Sequence, residues 1–442
     1  MNRWLWLLWL LLALGFGGTL AWKMFASENK DLYLIGDTTY GHYQIEMACE
    51  TCHTSPFGGE EILQDACTSC HAEDLEQAHD SHPKKKFTDP RNASRIEVLD
   101  ARYCVSCHTE HQHEQTRTMG VTLPDDYCYH CHQEVGEERE SHKGLPYDSC
   151  ASAGCHNFHD NRALYEDFLV DNAGQPWLLD IATLAKPNAA HKQIKPGAQP
   201  LTLQDASYSA ALDVPEHIPH EWASSSHAQA GVNCSDCHSE GDDNIWIAKP
   251  GHLQCANCHE NEVKTFTEGK HGMRLSGTVS KPLQPVGPAD SHMEFTKSGQ
   301  QLHQSCNACH QSHAFNRVKA AADACLGCHA DEHSLSFYDS PHGKSWQENH
   351  QTEQAYKLVS CATCHMPRDA RGKGDKQTVR VNHNQNFNLR PNEKMIRSVC
   401  MDCHGLGFAI DALADPVLIK NNFNGKPGVH IESIDWALKR EK

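Results

Sequence analysis

The sequence predicts a mainly α-helical fold with little regular secondary structure, a thin core of side chains and one N-terminal transmembrane helix. Three observations predict it. No charge interrupts Trp4 to Trp22. The mean hydropathy of −0.62 is too low for 442 residues to bury an ordinary apolar core. All 22 cysteines fall in short Cys-His units, with Pro and Gly punctuation between them.

Residues 1–26 come first. As a helix, the 19 residues from Trp4 to Trp22 would span about 28 Å, close to one hydrocarbon thickness. Trp4, Trp6 and Trp9 cluster at one end and Trp22 at the other, as interface belts do. A retained membrane anchor competes with a cleaved signal peptide, whose small-x-small site would be Thr19-Leu20-Ala21. The length and the bulky Trp22 favour the anchor, and either reading exports the chain.

The Cys-His units read C-x-x-C-H, the attachment motif of c-type haem. Its two thiols add to the porphyrin vinyl groups, and its His becomes the proximal iron ligand. In chain order the sites are: 1, Cys49/Cys52/His53; 2, Cys67/Cys70/His71; 3, Cys104/Cys107/His108; 4, Cys128/Cys131/His132. Site 5 is stretched to C-x4-C-H at Cys150/Cys155/His156, similar to a variant of small multihaem cytochromes. Then follow 6, Cys234/Cys237/His238; 7, Cys255/Cys258/His259; 8, Cys306/Cys309/His310. The last are 9, Cys325/Cys328/His329; 10, Cys361/Cys364/His365; 11, Cys400/Cys403/His404. These eleven sites consume all 22 cysteines, and every second Cys is followed by His. Zinc or a redox disulfide would not demand that His. The implied cofactor is haem c, eleven covalently attached, and the core is then haem-packed. At 442 residues over eleven sites, about one per 40, neighbouring macrocycles must lie close together. The apo-protein should not fold.

Punctuation divides the chain. Residues 30–160 form a five-haem electron-transfer module, with turns expected at Pro56-Phe57-Gly58-Gly59, Asp89-Pro90 and Leu123-Pro124 and short helices after each motif. Residues 161–221 lack cysteine and carry Pro176, Pro187, Pro196, Pro200, Pro215 and Pro219; they read as a haem-free connector with a short helix over Ala163–Val170. Residues 222–410 hold six sites, and 411–442 form a C-terminal tail.

The first module resembles the small multihaem electron carriers. Residues 222–410 resemble the octahaem hydroxylamine oxidoreductase family and, more distantly, cytochrome c nitrite reductase. The resemblance rests on the motif order, on Glu332-His333, Tyr338 and Ser340-Pro341-His342-Gly343 after site 9, and on His365-Met366-Pro367 followed by Val381-Asn382-His383. It implies that the substrate haem would sit on Cys255/Cys258 with His259. His333 would then pass protons over its open face, tuned by Glu332, as catalytic residues. The lysine-ligated C-x-x-C-K motif of the nitrite reductases is absent, and the last tyrosine is Tyr356, leaving no counterpart for a Tyr–haem cross-link. Reduction is thus the direction implied for an enzyme. The bland alternative makes His333 an ordinary iron ligand.

There are 33 histidines, so 22 remain after the eleven proximal ligands, and counting cannot reveal an open haem. The distal candidates are His42, His82, His111, His142, His159, His227, His271, His313, His342 and His383. His191, His217 and His220 lie in the connector and read as solvent or hydrogen-bonding histidines.

A formal charge of −18, made more negative by propionates, argues against nucleic acid as a partner. The first expectation is an undecahaem electron conduit on the periplasmic side of the bacterial cytoplasmic membrane, N-terminus inside, anchored through residues 4–22. It would exchange electrons with redox partner proteins or a membrane quinol-oxidising complex. One alternative is a membrane-anchored reductase of nitrite, hydroxylamine or a sulfur oxyanion with one open haem. Another is an oligomeric subunit of a cytochrome filament or respiratory complex.

Overall fold

A computed structural model describes residues 3–27, 30–55, 58–117, 120–124, 126–145, 150, 156–161, 164–186, 199–209, 212–240, 245–280, 283, 293–352, 354–372, 377–389 and 393–440. The fold is mainly helical in short pieces, with two small antiparallel ribbons. Ser239–Glu240 pairs with Ile245–Trp246, and Arg368–Arg371 pairs with Thr378–Val381 in the register Arg368↔Val381.

Arg3–Phe25 is one helix of 23 residues with no buried side chain. It is long and apolar enough to cross a membrane. The Tyr33 hydroxyl, donating to Leu20 O at 2.7 Å, ties its end to the body of the protein.

Two helices exceed the short lengths expected of so motif-dense a chain. Glu60–Gln77 carries site 2, and His252–Glu268 carries site 7 with a break at His259. Positions i, i+3 and i+4 share a helix face, so a C-x-x-C-H unit fits inside Glu60–Gln77 without interrupting it, whereas the second helix breaks at the motif histidine. In the connector the helix runs Glu166–Asn172, with Glu166 and Asp167 in its first turn, where acidic residues complement the dipole. That is a later start than the expected Ala163, which lies outside the described residues. At Asp89-Pro90 the Asp89 carboxylate accepts from Arg91 N at 3.0 Å and opens the Pro90–Asn92 turn.

The main side-chain core sits where the connector meets the C-terminus. Leu164, Leu169 and Ala173 pack with Ile396, Leu406, Ala409, Ile410, Ile434 and Ala437. Leu406, Ala409 and Ile410 fall at i, i+3 and i+4 of the Leu406–Ala414 helix, which gives it one apolar stripe. That helix runs straight through position 410. Its successor, Pro416–Lys420, is capped by the Asp415 carboxylate, which accepts from Val417 N and Leu418 N at 2.9 and 3.1 Å. The Ser433–Arg440 helix then returns to the first sites: Ser433 Oγ donates to Ser141 O, and Arg440 pairs with Glu140, both at 3.3 Å.

A second seam joins the two site groups at the other side. Arg274 Nη1 donates to Gln44 O at 2.7 Å, the Gln44 and Gln304 side chains bond, Thr51 Oγ1 meets Ser280 Oγ at 3.2 Å, and Lys264 pairs with Glu73 at 2.9 Å.

Truncating the core should loosen the C-terminal seam. Ile410, 1% exposed, touches both sides of it. Ile410→Ala should cost about 2–5 kcal/mol, read as a lower midpoint in thermal unfolding with the full haem complement retained.

Candidate haem-binding sites

Among the described residues, most motifs close on themselves in a single turn. Cys234–His238, Cys306–His310 and Cys361–His365 are five-residue helices. Asn233 and Ser360 cap the first and third, accepting from Cys234 N at 2.8 Å and Thr363 N at 3.3 Å. Sites 1 and 9 use α-turns at Cys49–Cys52 and Asp323–Leu326. Sites 3, 4 and 11 use tighter 3-10 turns at Cys104–Ser106, Tyr127–His130 and Cys400–Asp402. At site 5, Cys150 and His156 are described, whereas Cys155 lies outside the described residues, as does His191 of the connector.

Opposite each motif histidine stands the ring of another histidine. The pairs are His53–His111 at 6.4 Å between centroids, His71–His42 at 6.0, His108–His159 at 6.5, His132–His82 at 6.0 and His156–His142 at 6.0. In the second group they are His238–His313 at 6.1 Å, His259–His227 at 6.0, His310–His383 at 6.1 and His329–His271 at 6.1. His365–His333 at 6.1 Å and His404–His342 at 6.2 Å complete the set. Two imidazole–metal bonds of about 2 Å set back to back, with half of each ring behind them, span about 6 Å. The spacing therefore fits a six-coordinate iron between two imidazoles. Every pair stays within one group: sites 1–5 draw on residues before 161, sites 6–11 on residues after 221.

Local backbone delivers these second rings. Three follow a motif histidine by three residues, in C-H-x-x-H: His111, His159 and His313. Each faces the histidine of a different site, so one short turn serves two sites. His111 and His313 sit at φ of 63° and 68°, a strained region for a non-glycine residue that persists only where surroundings over-determine it. In Ser340-Pro341-His342-Gly343, the buried Ser340 hydroxyl caps the helix by accepting from Gly343 N at 3.1 Å, with Pro341 at its first position. A Cβ on Gly343 would meet Phe337 O at 1.9 Å, so only glycine lets this turn close beside His342.

The outer nitrogens are largely engaged. Nδ1 of His111 donates to Gly36 O at 2.7 Å, Nδ1 of His238 to Ile247 O at 2.7 Å, Nδ1 of His383 to Val381 O at 2.9 Å and Nδ1 of His108 to Gly120 O at 3.0 Å. With Nδ1 carrying the proton, Nε2 keeps its lone pair for a metal. Burial pushes His156, His271, His310, His342 and His365 down to about 4, so these rings are neutral near pH 7, as an iron ligand requires.

Sulfurs of successive sites are neighbours. The thiols of Cys67 and Cys104, of Cys255 and Cys306, and of Cys325 and Cys361 lie in hydrogen-bond contact. Cys52 feels the charge of Cys70, Cys128 that of Cys107 and Cys150, Cys237 that of Cys255, Cys309 that of Cys325, and Cys364 that of Cys403.

Among the described attachment cysteines, Cys52, Cys70, Cys258 and Cys309 are exposed and the others, Cys131 among them, are half-buried. The turn each belongs to sets its exposure. At site 4, Cys128 faces its neighbours, while Cys131 lies just past the Tyr127–His130 turn, closing it with an N–H that donates to Cys128 O at 3.2 Å. At site 7, Cys255 meets Cys306, and Cys258, one turn further along the His252–Glu268 helix, stands toward solvent with Cys237 of site 6 nearby. Cys328 of site 9 is half-buried in the same manner, its N–H donating to Cys325 O at 3.0 Å.

The ten distal candidates each face a motif histidine. His333 and Glu332 do not take the positions that the hydroxylamine oxidoreductase resemblance implies. The ring facing His259 is His227, and His333 faces His365 instead. The reason is local. The Glu332–Leu335 turn packs on Pro416–Lys420, and His333 Nδ1 donates to Ile419 O at 2.5 Å, which aims the ring at site 10. Glu332 points outward and pairs with Lys420 at 2.7 Å, both side chains more than 60% exposed. Sequence reasoning lacked the contact with Ile419, 86 residues away. The C-H-x-x-x-H spacing of His329 and His333, one longer than the C-H-x-x-H units, was the available signal.

The family model for cytochrome c3 matches residues 41–133. The attachment motifs and this match mark the chain as a multihaem c-type cytochrome with covalently bound haem c. More particularly, it is similar to the multihaem cytochrome c subunit of menaquinone reductase from Nitratidesulfovibrio vulgaris, at 27% identity over 147 residues, 31% of this chain. The match spans 61% of that relative's length. A solved reducing HAO-like protein complex of Kuenenia stuttgartiensis aligns over 44% of this chain and 53% of its own, at 17% identity and a TM-score of 0.29, too loose a likeness to bear on the fold.

Gly343→Ala tests the turn geometry. The clash with Phe337 O should push His342 from its place opposite His404, read as the loss of one low-spin ferric haem signal with all haems still attached.

Proposed function

We propose that the chain carries electrons through eleven haems, each held covalently by one Cys-His site and ligated on both faces by histidine. The observation that carries this reading is the set of eleven opposed imidazole pairs at 6.0–6.5 Å. Haem supplies the one-electron chemistry. The protein's part is to hold each iron in the same shell in both oxidation states. Two neutral imidazoles with anchored Nδ1 protons do this, and they leave little to rearrange on reduction.

The contact between successive sulfurs supports a relay in chain order, because each sulfur is bonded to a porphyrin edge. Sites 1 to 5 would form one run in a first module and sites 6 to 11 another in the second. The seam at Gln44, Thr51, Arg274 and Gln304 supports a crossing between the runs near sites 1, 2, 8 and 9. The Arg3–Phe25 helix supports a membrane anchor that places the relay on the periplasmic face of the cytoplasmic membrane. Because it is similar to a subunit of a menaquinone reductase, its proposed partner is a membrane complex that exchanges electrons with the quinone pool. A reductase would need one motif histidine with no ring across from it, and among the described residues each has one.

Three outcomes check the reading. The fully oxidised protein should be low-spin and unchanged by cyanide or nitrite; a high-spin fraction that shifts on addition would indicate an open haem and favour the reductase. His333→Ala should turn one haem of eleven high-spin without releasing it. Deleting residues 1–26 behind a cleavable export signal should move the protein from the membrane to the soluble periplasmic fraction, as read by haem-stained gels.

A further inference from the structure

Four second rings, His82, His111, His333 and His383, are steadied by backbone carbonyls, but two are bonded to carboxylates, on neighbouring sites. At site 2, His42 Nδ1 donates to Glu110 Oε1 at 2.6 Å. Glu110 is itself aimed by Thr39, whose N–H donates to Oε2 at 2.8 Å and whose hydroxyl donates to Oε1 at 3.0 Å. On the other side of the same pair, Asp74 Oδ2 lies 3.8 Å from His71 Nδ1. At site 3, His159 Nδ1 donates to Asp80 Oδ1 at 3.0 Å. At the opposite extreme, His227 of site 7 has a buried Nδ1 with no hydrogen-bond partner, and its ring meets the edge of Phe315.

A carboxylate on the outer N–H pushes charge into an imidazole and makes it a stronger donor to the metal. A stronger donor favours the ferric state. We propose that Glu110 and Asp80 are positioning residues that make haems 2 and 3 the lowest-potential centres of the first module, below haem 7 in the second. The proposal rests on the reading that His42 and His159 are axial ligands. Haems 2 and 3 adjoin through Cys67 and Cys104, and haem 2 adjoins the seam through Gln44, two residues beyond His42, and through Cys70, whose Sγ lies 3.5 Å from Thr278 Oγ1. A low-potential centre at that seam makes the crossing downhill from the first module to the second. Electrons would then enter on the side of residues 30–160 and leave from the side of residues 222–410.

The test is a spectroelectrochemical titration of the holo-protein with its variants, haem content checked by intact mass. Glu110→Gln keeps the shape and removes the charge. It should raise one midpoint by at least a tenfold change in the reduction equilibrium, 59 mV for one electron, and shift one low-spin ferric resonance. Glu110→Asp should recover part of the shift. Thr39→Val should move the same midpoint downward, because Oε1 loses a competing donor and pulls harder on the His42 N–H. Opposite signs from two substitutions on one carboxylate would not follow from simple loosening. If Glu110→Gln loses haem, the downward shift in Thr39→Val carries the test alone. Midpoints that stay put in a fully loaded Glu110→Gln or Thr39→Val protein would overturn the proposal. His42→Ala separates the two readings. A haem turned high-spin there with no shift in Glu110→Gln defeats only the tuning, whereas eleven haems still low-spin defeat the ligation and the tuning with it.

Discussion

Everything in this chain answers to one geometric demand: two imidazoles from different segments must face each other about 6 Å apart, again and again. A helix or strand presents side chains along its own surface and cannot by itself set two rings face to face across a planar group. The backbone therefore turns often. Short helical turns hold the motif histidines, and loops bring the second rings from as far away along the chain as His313 is from His238. The costs appear where that demand is tightest, in the positive φ of His111 and His313 and in the close approach that only Gly343 permits.

The same demand explains how so polar a chain holds together. Its side-chain core is concentrated at the meeting of the connector with the C-terminal helices, around Leu169, Leu406 and Ile410. A smaller cluster of Ala322, Phe337 and Trp346 lies beneath site 11's Ser-Pro-His-Gly turn. Elsewhere, the half-buried cysteines and buried imidazoles outline spaces that porphyrin faces would fill. Because each ring pair stays within its own group, the halves of the chain are joined by two seams of side-chain bonds rather than by shared sites. That separation lets the electronic character of one half differ from that of the other. The carboxylates at Glu110 and Asp80 and the bare Nδ1 of His227 are where such a difference is written.

Much of this was legible in the sequence. The motifs read directly, because covalent attachment needs both thiols and the adjacent His in one turn. How deeply each thiol sits was not legible, since the exposure of Cys258 and the half-burial of Cys131 follow from which way their turns face. The facing histidines were legible as a set, since C-H-x-x-H, Ser-Pro-His-Gly and Val-Asn-His are local patterns. Which ring faces which was not, because pairings such as His71 with His42 and His53 with His111 depend on tertiary placement. His333 shows the limit most clearly. A family likeness set it over site 7, and a hydrogen bond to Ile419 turns it toward site 10. The tail beyond residue 410 is likewise part of the core, because the apolar stripe of Leu406–Ala414 crosses that position and Ile434 and Ala437 complete its packing. The Glu110–His42 bond spans 68 residues, and no local pattern announces it.

Near-infrared magnetic circular dichroism of the fully oxidised protein addresses the opposed pairs most directly, because its charge-transfer band identifies both axial ligands of each low-spin ferric haem. Eleven bis-histidine haems per chain, with no intensity left for any other ligand set, is the predicted spectrum. A methionine-ligated or high-spin component amounting to even one haem per chain would contradict it.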